Sequence, residues 1–283
     1  LSRDLETVGP HNYGGKLKGP MTAHPKICSQ TGELLAFGYG MAPPYLTYYR
    51  VSKEGQLVQE EEIEVPGATM VHDFNVTRNY VIFMDLPAVW NFEGMAENGL
   101  PIVWDESYGA RLGVMPRNGT NADVTWYEID PCYVFHPLNA YESGSDLILD
   151  VCRMDDTMKP GSSSEPKLTR WTIKTGEGRV EEVQLDDRMV DFPRVADNVV
   201  GIKHQFGYCA AFAKGAPFGA GLIKYDLEKG TSQYRDLEGG QASEPVFVSN
   251  PDGIDEDDGW VLSYVYQPER DKSEVLILNS QDI

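Results

Sequence analysis

Three of the five histidines in this chain occupy one slot of a repeated pattern. The slot recurs in Thr22-Ala23-His24-Pro25, Met70-Val71-His72-Asp73, Val134-Phe135-His136-Pro137, Val190-Asp191-Phe192-Pro193 and Ser243-Glu244-Pro245-Val246. It is filled in turn by His24, His72, His136, Asp191 and Glu244, roughly 50 residues apart. A lone histidine is most often structural. Three in one slot, with carboxylates in the other two, fit side chains that converge. Converging imidazoles can bind a metal, and carboxylates in the same ring can hold and orient them.

The elements that must position this slot are strands. Each slot leads through a turn into an apolar run: Leu34–Phe37, Tyr80–Phe83, Leu147–Leu149, Val199–Ile202 and Trp260–Leu262. A second recurring pattern alternates apolar and polar residues, as in Leu46–Val51, Val124–Ile129, Leu168–Ile173 and Leu222–Leu227. Three of these four run into a turn with glycine (Gly55, Gly176, Gly230). Period-two strands joined by such turns are hairpins with one buried face. Almost nothing reads as a long amphipathic helix, which excludes a doubly wound α/β fold. The expected fold is all-β, a β-propeller with one four-stranded blade per repeat, running as a single domain over residues 1–283. Residues 1–21 are expected to be the end of a preceding blade plus a loop.

The net charge of −20 argues against nucleic acid and anionic membrane surfaces as partners. No apolar run is long enough to form a transmembrane helix. Cys28, Cys132, Cys152 and Cys209 lack CxxC spacing and are expected to be reduced, mostly buried thiols of a cytoplasmic protein. Asn75-Val76-Thr77 and Asn118-Gly119-Thr120 match the glycosylation pattern, without other signs of secretion. The sequence has no GxSxG elbow, no P-loop and no Cys–His pair in a family motif.

Residues 86–117 break the rhythm. Pro87, Trp90, Phe92, Met95, Trp104, Tyr108 and Met115 fall there without clean alternation, where a repeat should have a short turn. A long aromatic loop on a rigid scaffold suits a lid or tunnel wall. Phe74, Trp90, Phe92, Met95, Trp104 and Phe135 are the candidate lining of an apolar route to the site. Self-packing on the surface is the competing reading.

These residues resemble the carotenoid cleavage oxygenase family, including its stilbene-cleaving branch. The resemblance rests on Ala23-His24-Pro25-Lys26, Val71-His72-Asp73-Phe74, Arg111–Arg117, Phe135–Glu142 and Ser243–Val248, and spans nearly the whole chain. It implies a seven-bladed propeller of which about five blades are present, under a loop-rich dome. It also implies Fe(II) on the axis, held by four histidines, three of which bond to outer carboxylates. His24, His72 and His136 take the place of three iron ligands. Glu244 and Asp191 take the place of outer carboxylates. Asp191 stands where the family more often has Glu; one methylene shorter, it is expected either to lose the bond to a ligand histidine or to make it through a water. The fourth histidine is expected beyond Ile283 and a further Glu before Leu1, so the chain resembles an internal fragment. His204 and His11 lie outside the slot, and His204 reads as structural.

The implied activity is an Fe(II)-dependent dioxygenase that cleaves the C=C bond of a small aromatic alkene with O₂, giving two aldehydes. A stilbene such as resveratrol or a lignostilbene is the leading substrate class, with an apocarotenoid as the alternative. A non-catalytic propeller scaffold without a complete metal site is the reading from another class.

Overall fold

Each recurring slot opens a sheet of antiparallel strands. The structure, a computed structural model, describes residues 1–93, 99–214 and 218–283. In the first blade Lys26–Ile27 (β1), Leu34–Tyr39 (β2), Leu46–Val51 (β3) and Leu57–Ile63 (β4) pair in chain order. The second comprises Asn75–Val76 (β5) and Tyr80–Asp85 (β6), then an inserted hairpin of Ala88–Trp90 (β7) and Ile102–Trp104 (β8). Ala110–Pro116 (β9) and Thr125–Ile129 (β10) complete it. Tyr133–Ser143 (β11), Asp146–Met154 (β12), Lys167–Lys174 (β13) and the first half of Arg179–Arg194 (β14) make the third. The second half of β14 crosses into the fourth and pairs with Phe206–Phe212 (β15), followed by Gly219–Asp226 (β16) and Thr231–Asp236 (β17). After the short Gln241–Ala242 (β18), a three-stranded fifth blade is built from Val246–Ser249 (β19), Gly259–Gln267 (β20) and Lys272–Asn279 (β21). Among the described residues, helix is confined to short 3₁₀ turns, and none is long and apolar enough to cross a membrane. These are five blades of a β-propeller.

The slots fall on or just before the first strand of each blade. β1, β5, β11 and β19 are sheet edges. That placement explains the prolines that follow four of the slots, Pro25, Pro137, Pro193 and Pro245. Proline cannot donate to a strand ladder, so it is tolerated on an edge and blocks further pairing there.

The core lies between neighbouring blade faces. Leu35, Phe37, Tyr48, Phe74, Phe83 and Met115 join the first blade to the second. Met84, Leu112, Tyr133, Leu149 and Trp171 join the second to the third. Leu138, Leu168, Tyr208, Leu222, Phe247 and Val261 join the last three. The four cysteines are buried and free. Asn75 is buried at 2% exposure, so the first glycosylation match is closed to modification in the folded chain.

Two expectations about elements are corrected. Val199–Ile202 is not the second strand of the fourth blade. Asp197–Val199 forms a 3₁₀ turn, and β15 supplies that strand instead. The run is apolar because Val199 packs into the core. Asn139 captures its backbone: its side-chain amide donates to the Val199 and Ile202 carbonyls at 3.0 and 3.1 Å, and its carbonyl accepts the Gly201 N–H at 2.9 Å. Nor do residues 1–21 form a strand. They run as turns and extended chain, and Tyr13, Leu17 and Met21 cover Tyr49 and Val51 of the first blade.

The same extended stretch delivers His24, and Gly38 sets how closely it lies. The Thr22 N–H donates to the Phe37 carbonyl at 2.6 Å. A Cβ on Gly38 would stand 2.0 Å from the Pro20 carbonyl oxygen. Gly38→Ala is therefore expected to push residues 20–24 off β2. The cost is about 1–3 kcal/mol of stability, as for other overpacked sites. Thermal or urea unfolding of both proteins measures it, and an unchanged midpoint would refute it.

Candidate metal centre

Local geometry brings the three slot histidines to one point. His24 follows a tight turn in which its N–H donates to Thr22 Oγ1 at 3.0 Å. His72 follows Met70, whose N–H donates to the Ala88 carbonyl at 2.7 Å and whose carbonyl accepts the Tyr133 hydroxyl at 2.9 Å. His136 lies inside β11, where the pairing with β12 slips on both sides of Pro137. Such a bulge bends the strand and re-aims the neighbouring side chain.

The His72 Nε2 stands 3.1 Å from the Nε2 of His24 and 3.1 Å from that of His136. The ring centroids are 4.8, 4.8 and 5.3 Å apart. All three donor nitrogens lie within 4.8 Å of one another. Two donors each ~2.2 Å from one ion, at a right angle, would stand ~3.1 Å apart; a tetrahedral pair would stand ~3.6 Å apart. The set therefore fits neighbouring positions around a metal with room for further ligands. Burial lowers the pKa of His24, and burial with the two flanking imidazoles brings that of His72 down to about 4. Both rings are neutral at physiological pH, as metal donors must be.

Asp191 reaches His136 directly. The His136 Nδ1–H donates to Asp191 Oδ1 at 2.9 Å, with no water between. The same oxygen accepts the Phe192 N–H at 2.8 Å. Phe192 holds a left-handed backbone (φ 54°), and the β14–β15 register slips between Asp191 and Arg194. This irregular backbone presents the shorter carboxylate to the ring. Glu244 makes no hydrogen bond to a histidine among the described residues. Its carboxylate faces Arg194, with Nη1 at 3.4 Å, and lies near enough to His24 to act on its charge.

His24 and His136 open onto a cavity of about 780 Å³ whose walls include Lys26, Asp73, Phe74, Arg194 and Glu244. The described part of residues 86–117 does not line it. The β7–β8 hairpin packs instead against the chain leading to His72, through the Thr69–Val89 bridge. Trp90 and Trp104 pack on the cluster that holds Met70 and Tyr133, as does Phe135. Phe135 meets His72 with ring centroids 5.3 Å apart. Phe92 is exposed, and Met95 lies outside the described residues.

His204 stands apart, buried in the loop before β15. Its Nδ1 lies 3.1 Å from the Asn139 amide, and its Nε2, without a hydrogen-bond partner among the described residues, stands 4.0 Å from Asp150 Oδ2. Sequence reasoning passed over Lys26, Asp73, Phe192 and Arg194, although Asp73 and Phe192 sit inside the slot motifs and Lys26 and Arg194 directly after them. Their proximity to the slot residues was the available signal.

This fold belongs to a known class of protein. The family described as retinal pigment epithelial membrane protein (RPE65) matches residues 2–283. A carotenoid cleavage oxygenase of Mycobacterium tuberculosis is 36% identical over 340 residues, covering 100% of this chain and 68% of that one. Isoeugenol monooxygenase of Pseudomonas putida is 29% identical over 304 residues, covering 98% of this chain and 64% of that one. The solved lignostilbene dioxygenase of Pseudomonas brassicacearum matches with a TM-score of 0.89 and 30% identity, over 99% of this chain and 64% of that one. A cobalt-substituted apocarotenoid oxygenase of Synechocystis matches with a TM-score of 0.88 and 28% identity, over the same shares of the two chains. The chain belongs to the RPE65/carotenoid cleavage oxygenase family, a family of oxygenases that cleave carbon–carbon double bonds. It spans about two thirds of the length of these relatives.

Proposed function

We propose that His24, His72 and His136 are three ligands of a non-haem Fe(II) centre, and that the protein cleaves the C=C bond of a stilbene with O₂ to give two aldehydes. The observation that carries this reading is the convergence of three imidazoles, with the Nε2 atoms of His24 and His136 each 3.1 Å from that of His72. When bound, iron supplies the oxygen-activating chemistry by which the alkene is split into two carbonyl products. The chain's own part is to hold and orient. Asp191 keeps the His136 proton on Nδ1, which leaves the Nε2 lone pair directed at the site. Phe135 and Phe192 pack on His72 and His136 and limit water beside them. Glu244 belongs one position further out than the ligands. Phe74, Leu138 and Val200 in the wall of the cavity beside His24 and His136 support an apolar approach for an aromatic substrate.

The resemblance to lignostilbene dioxygenase and isoeugenol monooxygenase supports a phenylpropanoid-type alkene. The 36% identity to a carotenoid cleavage oxygenase supports an apocarotenoid as the second substrate class. The test is product analysis on the iron-loaded protein that contains this chain, under air and under nitrogen, with resveratrol and with an apocarotenal. Two aromatic aldehydes from resveratrol, formed only with iron and O₂, are the expected result. Cleavage of the apocarotenal alone would reassign the substrate. Failure on both, or products formed equally under nitrogen, would overturn the reading in favour of a scaffold.

A further inference from the structure

We infer that the ion pair of Lys26 and Asp73 is a clamp that sets the separation of His24 and His72; this rests on the metal-site reading above. Lys26 Nζ donates to Asp73 Oδ2 at 2.8 Å. Lys26 lies two residues after His24, and Asp73 directly after His72. The pair therefore ties the first blade to the second beside the two rings.

The need for such a tie follows from the donors themselves. Two neutral imidazoles with both Nε2 lone pairs aimed at one point repel each other, and no hydrogen bond between them offsets this while both stay ready to bind. Something outside the rings must hold them at 3.1 Å before the metal arrives. Phe37 and Phe74 also pack between the two blades, with ring centroids 5.1 Å apart, but β1 and β5 are each two residues long and lie in separate sheets, so no strand pairing fixes the His24 stretch against the His72 stretch. Asp73 is well placed to anchor. It is 3% exposed, and its other oxygen accepts the Phe74 N–H at 2.7 Å, so its carboxylate is fixed before Lys26 reaches it. A charge-assisted bond to a fixed, buried carboxylate is stronger and more directional than a surface pair. The ammonium and the carboxylate also cancel, so the clamp adds no net charge beside the site.

The test uses the complete protein that contains this chain, stripped of metal and loaded with Co²⁺. The readouts are the visible absorption of bound cobalt and its rate of release to excess chelator. Lys26→Met keeps the stem and removes the charge. It is expected to release cobalt about tenfold faster, at the low end for residues outside the ligand set, and to shift the absorption band. Lys26→Arg should restore both readouts, and Asp73→Asn should match Lys26→Met. Wild-type release and spectrum in Lys26→Met, even with a lowered unfolding midpoint of the metal-free protein, would overturn the clamp. So would Lys26→Arg behaving like Lys26→Met. Wild-type protein that takes up no cobalt, or a His72→Ala control that binds it equally well, would defeat the metal-site reading and the clamp with it.

Discussion

His72→Ala will leave the protein folded, nearly free of iron, and slower in alkene cleavage by more than about 100-fold. Loss of a group that merely orients a ligand costs ~10–100-fold in affinity or activity; loss of a ligand should exceed that. His72 is the proposed ligand to remove because it stands between the other two, with its Nε2 3.1 Å from each. Without it, His24 and His136 remain as a pair with ring centroids 5.3 Å apart and a gap between them. The fold should survive. His72 lies just before β5, and the core residues beside it in the chain, Val71 and Phe74, are untouched. His11→Ala is the matched control, since that ring lies at the exposed amino-terminal stretch against Tyr13. Iron per chain by elemental analysis and aldehyde formation under air decide the matter. A His72→Ala protein that keeps its iron would remove His72 from the metal centre.

The slot was legible because it is tied to the most regular part of the fold. His24, His72 and His136 sit on or just before the first strands of three successive blades and converge, so one sequence position recurs at one place in space. Period-two patterning likewise reads out the middle strands. β3 covers the very residues expected of it, Leu46–Val51, and β13 extends the expected run by one residue at each end. Legibility fails where side chains override the local pattern. Val199–Ile202 has the apolar run of a strand, yet Asn139, some 60 residues upstream, binds its backbone as a turn. Residues 1–21 carry apolar side chains that cover the first blade without joining a ladder. The reach of Asp191 was misjudged for a related reason. Counting methylenes assumes a regular strand, and the left-handed Phe192 together with the slipped register of β14 departs from one. Glu244 shows the converse. Its place in the repeat is regular, but among the described residues its carboxylate meets Arg194 and no imidazole.

Asp191 is the second large expectation, and its variants separate charge from reach. Asp191 Oδ1 accepts two donors, the His136 Nδ1–H at 2.9 Å and the Phe192 N–H at 2.8 Å. The first fixes the ring tautomer and raises its basicity; the second fixes the carboxylate. Asp191→Asn keeps the size and can still accept with its amide oxygen, but it loses the charge. Metal affinity and cleavage rate should fall ~10–100-fold, the usual cost of losing such a partner. Asp191→Glu keeps the charge and adds one methylene. The longer side chain cannot hold both donors from the same backbone position, so the bond to Phe192 is the one expected to break. Asp191→Glu should therefore bind iron less well than wild type and better than Asp191→Asn. Iron retention against a chelator, together with the cleavage rate at saturating iron, distinguishes the three proteins. An Asp191→Asn protein with wild-type retention and rate would show that His136 needs no carboxylate to serve the site. Asp191→Glu falling below Asp191→Asn would show that reach matters more than charge.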